Sequence, residues 1–433
     1  MSIALTTVIL FAVFFFLLAL SVPISVSIVI SSVITALSTL SWDQVSFITM
    51  QKMNSGVESF SLLAVPLFIL AGNIMNNGGI ARRMINFAKL FCGFIPGSLA
   101  QANVLGNMLF GALAGSAVAA ASAMGGSISP IQKEEKYNMA FATAVNIASA
   151  PTGLLIPPTS AFIVYSTVVG GVSISALFMA GYIPGILMGL GVMVVAFLYA
   201  RAHKYPTTGV VPLKTALKIT LDALPSFLLI IIVIGGIVGG IFTATEGAAV
   251  CVVYCLFLSV IYRAINMQVF MKILVDSACT SGIILFLISS SSAMSWVMAY
   301  SGIPDAIANG LLSISENKYV LLFLINLILL IVGMFMDITP AILIFTPIFL
   351  PICVSLGMDP VHFGVVLIFN MCIGSMTPPV GSVLFVGCGI TKMSLEKVSA
   401  MLLPYFLVLI AILLILTYVP AISLVIPEAM GLM

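Results

Sequence analysis

An all-α polytopic membrane protein, built from two inverted-topology repeats, is the fold class this sequence predicts. Three observations carry that expectation: a scarcity of charge, a succession of apolar stretches of membrane-crossing length, and a motif pattern that recurs after 221 residues. The 433 residues include only 15 Lys or Arg and 13 Asp or Glu, 6% in all, against 62% hydrophobic types and a mean hydropathy of +1.29. A soluble domain carries about 25% charge, because water must wet its surface. The composition therefore excludes a soluble domain, a disordered chain, a coiled coil and a nucleic-acid binder. The 7 cysteines are scattered and show no CxxC or Cys/His spacing, which argues against a disulfide framework or a Cys/His metal site. They read as small membrane-buried hydrophobes.

About 20 apolar residues span the hydrocarbon. Crossings are expected over 4–20, 24–40, 59–77, 138–168, 174–200, 221–241, 246–263, 277–300, 362–390 and 398–420. The first lacks a basic flank and a small-residue cleavage site, so it reads as a retained span and not a signal peptide. Two further stretches, 98–130 and 320–351, are too long for one plain span. They are interrupted at Ala114-Gly115-Ser116-Ala117 and at Met336-Asp337-Ile338-Thr339-Pro340. Both read as re-entrant hairpins that leave on the side they enter.

Charge tests that reading. If both hairpins return and the N-terminus lies outside, thirteen of the 15 Lys and Arg fall inside, and only Lys52 and Lys318 fall outside. Cytoplasmic loops carry the excess of basic residues in membrane proteins. Counting either hairpin as a single crossing destroys the split.

The halves share landmarks at a spacing of 221: Pro130 with Pro351, Gly153 with Gly374, Pro157-Pro158 with Pro378-Pro379, and Ser173 with Ser394. Each half (1–210 and 211–433) reads as three scaffold crossings, an amphipathic arm, a hairpin, a crossing broken by Pro-Pro and a last crossing. The scaffold helices lie in 1–77 and 221–300. Five crossings per half is odd, so the halves are expected to insert upside down relative to one another. Inverted repeats with discontinuous helices are the architecture of secondary transporters. A helix that stops inside the membrane frees backbone groups, which is tolerated only against protein or a wet cavity. Freed carbonyls can replace water around Na⁺, and half-helix N-termini can receive a carboxylate.

Pairing each hairpin tip with the neighbouring Pro-Pro break yields two candidate ion sites. The first comprises Gly115, Ser116, Thr152, Gly153 and Pro157; the second comprises Asp337, Thr339, Gly374, Thr377 and Pro378. Candidates for the substrate are Ser116, Asn146, Thr159, Ser160, Thr377 and Gly381. Asn146 suits an interhelical hydrogen bond equally well. Asp337 is the sharpest single residue, since an intramembrane acid is costly and marks ion or substrate paths. Ser289 to Ser292 read as helix packing. Thr243 and Glu246 form a capping box where a crossing begins. Trp42 suits an interfacial anchor, and His203 and His362 receive no catalytic task. No HExxH, GxSxG or P-loop is present, so the sequence offers nothing for a zinc protease, a hydrolase or an ATP-driven motor.

At these motifs the chain resembles the large membrane subunit of TRAP transporters, the DctM type of tripartite ATP-independent periplasmic transporter. The likeness runs nearly end to end. It includes SVPIS at 21–25, PLFILAGNIM at 66–75, FGALAGSAVA at 110–119, LLIPPTSAFIVYS at 154–166, ALFMAGYIPG at 176–185, GIFTATEGAAV at 240–250, GMFMDITPAILIFTPIFLPI at 333–352 and SMTPPVGSVLFV at 375–386. Ala244 departs from the family's usual TPTE run. The resemblance implies a bacterial inner-membrane protein with both termini periplasmic. It implies Na⁺-driven import, with two or more coupling ions and no organic cofactor, of an organic acid such as a C4-dicarboxylate, a sugar acid or sialic acid. It further implies a small four-helix membrane subunit and a periplasmic binding protein as partners, and surrounding lipid. The fold it implies is of the elevator type, with hairpins and broken helices moving against a scaffold. The competing readings are a stand-alone Na⁺- or H⁺-coupled carboxylate symporter, a channel, and a membrane-embedded enzyme. The paired hairpins argue against a channel, and the missing catalytic constellation against an enzyme.

Overall fold

The structure is a computed structural model that describes residues 3–205, 207, 209, 211–315 and 317–433; the side chains of Ala81 and Leu113 are left aside. The expected boundary between halves, at residue 210, lies outside the described residues. The chain opens with α1 (Ile3–Ala19), α2 (Ile24–Ala36), α3 (Trp42–Ser55) and, after a 3₁₀ turn at Phe60–Leu63, α4 (Ala64–Asn77). The arm α5 (Ile80–Cys92) leads to the hairpin α6 (Ser98–Ala114) and α7 (Ala117–Glu134). A broken crossing follows as α8 (Met139–Ser149), α9 (Thr152–Leu155) and α10 (Ser160–Val169), then α11 (Ile174–Ala202). The second half begins with α12 (Leu213–Val238), α13 (Ala244–Ile261) and α14 (Met267–Tyr300). It continues with the arm α15 (Ile303–Ile314), the hairpin α16 (Lys318–Gly333) and α17 (Ile338–Ser355), the broken pair α18 (Pro360–Gly374) and α19 (Ser382–Thr391), and α20 (Leu395–Tyr418). A short α21 (Ala421–Ala429) packs on α11.

Local capping chemistry places these boundaries, and it recurs at the offset of 221. Asn138 Oδ1 accepts from the Ala140 N–H at 2.9 Å to start α8, and Asp359 Oδ1 accepts from the Val361 N–H at 2.7 Å to start α18. Ser116 and Asp337 stand at the N-caps of α7 and α17, and Ser173 and Ser394 at those of α11 and α20. Thr243 and Glu246 form the expected capping box: the Thr243 N–H donates to Glu246 Oε2 at 2.8 Å, and the Glu246 N–H to Thr243 Oγ1 at 3.2 Å. Ala244 occupies the first helical position without disturbing it.

Seven helical stretches among the described residues are long and apolar enough to cross a membrane, and an eighth, Met139–Val169, bends by 46° at its break. The protein is a multi-pass membrane protein. Three expected boundaries shift. The 24–40 stretch forms only 13 helical residues, ending at Ala36, whereas the 362–390 crossing divides at Pro378-Pro379, as expected, into helices of 15 and 10 residues. α12 and α14 begin earlier than 221 and 277, because Pro212 and the Asn266 cap start helices through residues too polar to count as membrane-crossing. α3 and α21 were not expected. Each is short and mixes apolar with polar residues, so neither registers as a span.

The core lies at the two broken crossings. Every residue of 140–159 and of 361–376 is buried, two stretches that begin 221 apart. Helices farther out turn apolar side chains outward, as Leu217, Leu221, Leu224, Leu228 and Ile231 do along one stripe of α12. Lipid is the natural neighbour of such a face.

Candidate functional site

The first hairpin breaks because α6 ends in a left-handed residue. Gly115 takes φ +58°, which glycine adopts without steric cost, and its N–H closes on Gly111 O at 2.8 Å. Ser116 is extended, and its Oγ accepts from the Ala119 N–H at 3.3 Å to start α7. The tip rests on the Pro-Pro break: a Cβ on Gly115 would stand 3.2 Å from Pro158 O and 3.4 Å from Thr159 Cα. Inside that break Thr152 Oγ1 donates to Ser149 O at 2.7 Å, and Thr159 Oγ1 caps α10 at the Phe162 N–H, 3.4 Å. Gly153 lies backbone to backbone against Gly111, a contact that a Cβ on Gly111 would close to 2.5 Å.

The second half repeats the arrangement with different side chains. Gly374 lies against Gly333, where its Cβ would stand 2.5 Å from Gly333 Cα. The Val380 N–H donates to Met334 O at 3.3 Å, and Ser382 Oγ to Asp337 Oδ1 at 3.4 Å, so this tip also sits on its own Pro-Pro break. Thr377 Oγ1 donates to Ile373 O at 2.7 Å. The carbonyls of Ser375 and Thr377 converge beside Gly381, 3.0 and 2.9 Å from where a Cβ there would lie. Both Pro-Pro peptide bonds are cis.

The two tips open into one cavity of about 500 Å³. Of the candidate residues it brings together Gly115, Ser116, Ser160, Asp337 and Thr339. Landmarks 221 apart line it together, Ser116 with Asp337 and Leu154 with Ser375. Ala117, Ser160, Ile338 and Ser382, the first residues of α7, α10, α17 and α19, all line it. Four helix N-termini thus converge, each carrying roughly half a positive charge from its unpaired N–H groups. No Lys, Arg or His lines the cavity, and Asp337 has no cationic partner among the described residues.

The remaining candidates lie off this cavity. Thr152, Gly153, Pro157 and Thr159 are buried within the first break, and Gly374, Thr377, Pro378 and Gly381 belong to the second. Asn146 is fully buried between helices: its Nδ2 donates to Ala121 O at 2.8 Å and its Oδ1 accepts from Asn107 at 3.0 Å. Its place is the interhelical one. Ser290 and Ser292 bond carbonyls of their own helix and Ser289 bonds Met53 O, as packing requires. His362 is buried against Ser423 Oγ at 2.6 Å, and His203 stacks on Tyr199 with ring centroids 4.0 Å apart.

Sequence reasoning missed the residues that α4 and α14 bring to the cavity, Gly72, Asn73 and Asn76 of α4 and Thr280 of α14. It also missed Gly111 and Gly333. The motif PLFILAGNIM held Gly72 and Asn73, but an apolar crossing does not announce which of its faces meets a cavity. No group of three or more His, Cys, Asp or Glu that could hold a metal ion occurs among the described residues. The side-chain oxygens on the cavity wall include the hydroxyls of Ser116, Ser160 and Thr339 and the carboxylate of Asp337.

A family model described as the DctM component of the tripartite ATP-independent periplasmic transporter matches residues 11–422. The chain belongs to the DctM family. Relatives match along most of the chain's length. The chain is 35% identical to the C4-dicarboxylate TRAP transporter large permease protein DctM of Rhodobacter capsulatus, over 99% of this chain and 100% of that one. It is 37% identical to the sialic acid TRAP transporter large permease protein SiaM of Vibrio cholerae, over 87% and 88%. It is 53% identical to the uncharacterized protein YgiK of Salmonella typhimurium, over 97% of each. The fold is similar to the crystal structure of the Alcanivorax borkumensis YdaH transporter, with a TM-score of 0.59 at 15% identity over 87% of this chain and 89% of that one. The DctM-family relatives so named are transporter permeases, and none is an enzyme.

Proposed function

We propose that this DctM-family chain is the large membrane subunit of a Na⁺-coupled importer of an organic acid. A periplasmic binding protein delivers the acid, and a small four-helix membrane subunit completes the complex in the bacterial inner membrane. The observation that carries the reading is the convergence of both hairpin tips, with four helix N-termini, on one cavity. Such termini hold a carboxylate without a basic side chain. The carbonyl-rich breaks at Gly111/Gly153 and Gly333/Gly374 suit two Na⁺ ions, carried as cargo, one beneath each tip.

In this reading the halves are inverted repeats. The hairpins 98–130 and 320–351, with the broken helices 138–168 and 362–390, form a transport domain. That domain slides as an elevator against the scaffold helices of 1–77 and 221–300, with both termini periplasmic. The recurrence of caps at 221 supports the repeat, and the placement of α4 and α14 on the cavity beside both tips supports a domain boundary running through the substrate. A carboxylate with a hydroxylated body, a sugar acid or sialic acid, suits the hydroxyl-rich lining. A symporter that works without a binding protein is not favoured, because the family is defined as one component of a tripartite system. The test is uptake into proteoliposomes holding both membrane subunits, with the binding protein outside. Uptake is expected only under an inward Na⁺ gradient. Undiminished uptake driven by protons alone would reassign Asp337 to proton carriage.

A further inference from the structure

We propose that Asn107 is a positioning residue for the first break: its buried amide locks α6 to the end of α8 one turn before the Gly111–Gly153 contact, and so sets the affinity for Na⁺ without touching the ion. Asn370 does the same for the second break. The inference rests on the Na⁺-coupled reading above and assigns residues that act on it through the breaks.

Asn103, Asn107 and Gly111 follow one another at intervals of four along α6, so they share one face of that helix. Asn146, Ser149 and Gly153 recur at intervals of three and four from α8 into α9. The two rows meet in successive rungs. Asn107 Nδ2 donates to Ser149 Oγ at 2.7 Å and to Asn146 Oδ1 at 3.0 Å, with Asn103 Oδ1 at 3.1 Å and Asn146 O at 3.3 Å also in reach. Four residues further along both rows, Gly111 and Gly153 pack backbone to backbone. Asn103, Asn107, Asn146 and Ser149 are each at most 1% exposed, so bulk water does not compete for these bonds.

The rung controls the end of a helix. α8 stops at Ser149, and the last carbonyls of a helix lack partners within it. Here Asn146 O accepts from the Ala150 N–H at 3.0 Å and lies within reach of Asn107, while Ser149 O accepts from Thr152 Oγ1 at 2.7 Å. These bonds fix the chain that runs directly into Gly153. Groups that orient ligating oxygens before an ion arrives raise affinity without contact, because less ordering remains to be done on binding.

The second half keeps the rung with the donor on the other helix. Asn370 lies 221 residues after Ser149 and four before Gly374, and its Nδ2 donates to Asn326 Oδ1 of α16 at 2.8 Å. Asn326 lies seven residues before Gly333, two turns along the same face, and its Nδ2 donates to Thr417 Oγ1 of α20 at 2.9 Å. Both are at most 2% exposed. Two unlike pairs, Asn with Ser and Asn with Asn, thus place a buried amide bond between hairpin and broken crossing close to each glycine contact.

Thermal unfolding of the purified full-length chain in detergent, titrated with NaCl against choline chloride, reads Na⁺ binding without transport. Asn107→Leu and Asn370→Leu are each expected to raise the half-maximal Na⁺ concentration by about tenfold, and Ser149→Ala, which removes one acceptor, by about threefold. Gln101→Leu is the control. Gln101 is a buried amide on the same helix, but its Nε2 donates to Met193 O of α11 at 3.0 Å and not to α8. Its loss is expected to lower the unfolding temperature and leave the Na⁺ midpoint where it was. Ser149→Ala, the smaller change, decides the matter if Asn107→Leu fails to fold. Na⁺ midpoints in Asn107→Leu and Ser149→Ala no different from that of Gln101→Leu would overturn the positioning role and leave Na⁺ coupling standing. A wild type that NaCl stabilises no more than choline chloride does would overturn this inference together with the Na⁺ reading.

Discussion

Gly111 and Gly153 meet backbone to backbone, and this contact seats the first hairpin on the broken crossing. A methyl group on Gly111 would stand 2.5 Å from Gly153 Cα and 3.0 Å from its nitrogen. Real Cβ atoms do not approach backbone so closely, so hairpin and break would have to separate. Gly153→Ala is expected to cost about 1–3 kcal/mol by overpacking and to abolish transport. Gly126→Ala, on the same hairpin with nothing within 4 Å of its Cβ, is the silent control. Thermal unfolding in detergent and uptake assays read both. Equal behaviour of the two variants would refute the contact's role.

Asp337 lines the cavity at the second tip, and among the described residues only Ser382 Oγ, 3.4 Å away, bonds its side chain. Asp337→Asn keeps the shape and removes the charge. Uptake is expected to fall by about tenfold or more while the unfolding temperature stays within a few degrees, since no internal ion pair is broken. A full-rate Asp337→Asn transporter with unaltered Na⁺ dependence would remove this residue from the mechanism.

Arg83 fastens the first arm. Its Nε donates to Asp222 Oδ1 at 2.9 Å, its Nη1 to Gly79 O at 2.9 Å, and its guanidinium lies 3.4 Å from the centre of the Tyr262 ring. Asp222 is half exposed, so solvent screens the ion pair to at most about 1 kcal/mol. The ring contact adds about 0.5–1 kcal/mol. Arg83→Ala should therefore destabilise more than Asp222→Asn, and Arg83→Lys should not restore the difference, because ammonium cannot both fork and stack. The order of unfolding temperatures checks this.

Opposite exposure of the two arms is the expected outcome of the inverted arrangement. In a background without the exposed native Cys279, Phe91→Cys on α5 should label from the cytoplasmic face and Leu312→Cys on α15 from the periplasmic face. Labelling of both from one side with a membrane-impermeant reagent would end the inverted reading.

The Thr243–Glu246 box accounts for Glu246 without a functional role. Glu246→Ala is expected to lower the unfolding temperature slightly and to leave uptake per folded molecule unchanged. Selective loss of uptake would place Glu246 in the transport path after all.

Much of this molecule is written locally. The membrane class follows from composition. The breaks at Pro157-Pro158 and Pro378-Pro379 follow from proline, which cannot continue a helix, and that at Gly115-Ser116 from a glycine at positive φ followed by an N-capping serine. The caps at Asn138, Asp359 and Ser173 each use a side-chain oxygen to accept from a nearby backbone N–H, and Ser394 stands at the N-cap 221 residues after Ser173. Boundaries were misread where a helix ran on through polar residues, as α12 and α14 do.

What stayed hidden was which face of each helix meets which neighbour. A helix in lipid is apolar all round, so hydropathy carries no stripe that points to the interior. The chain therefore determined by itself that it crosses a membrane and where its helices stop. Only the folded arrangement decided that Ser116 and Asp337 share one cavity, that Asn146 stays between helices, and that Asn73 and Thr280 complete the wall, because those relations depend on how apolar helices pack together.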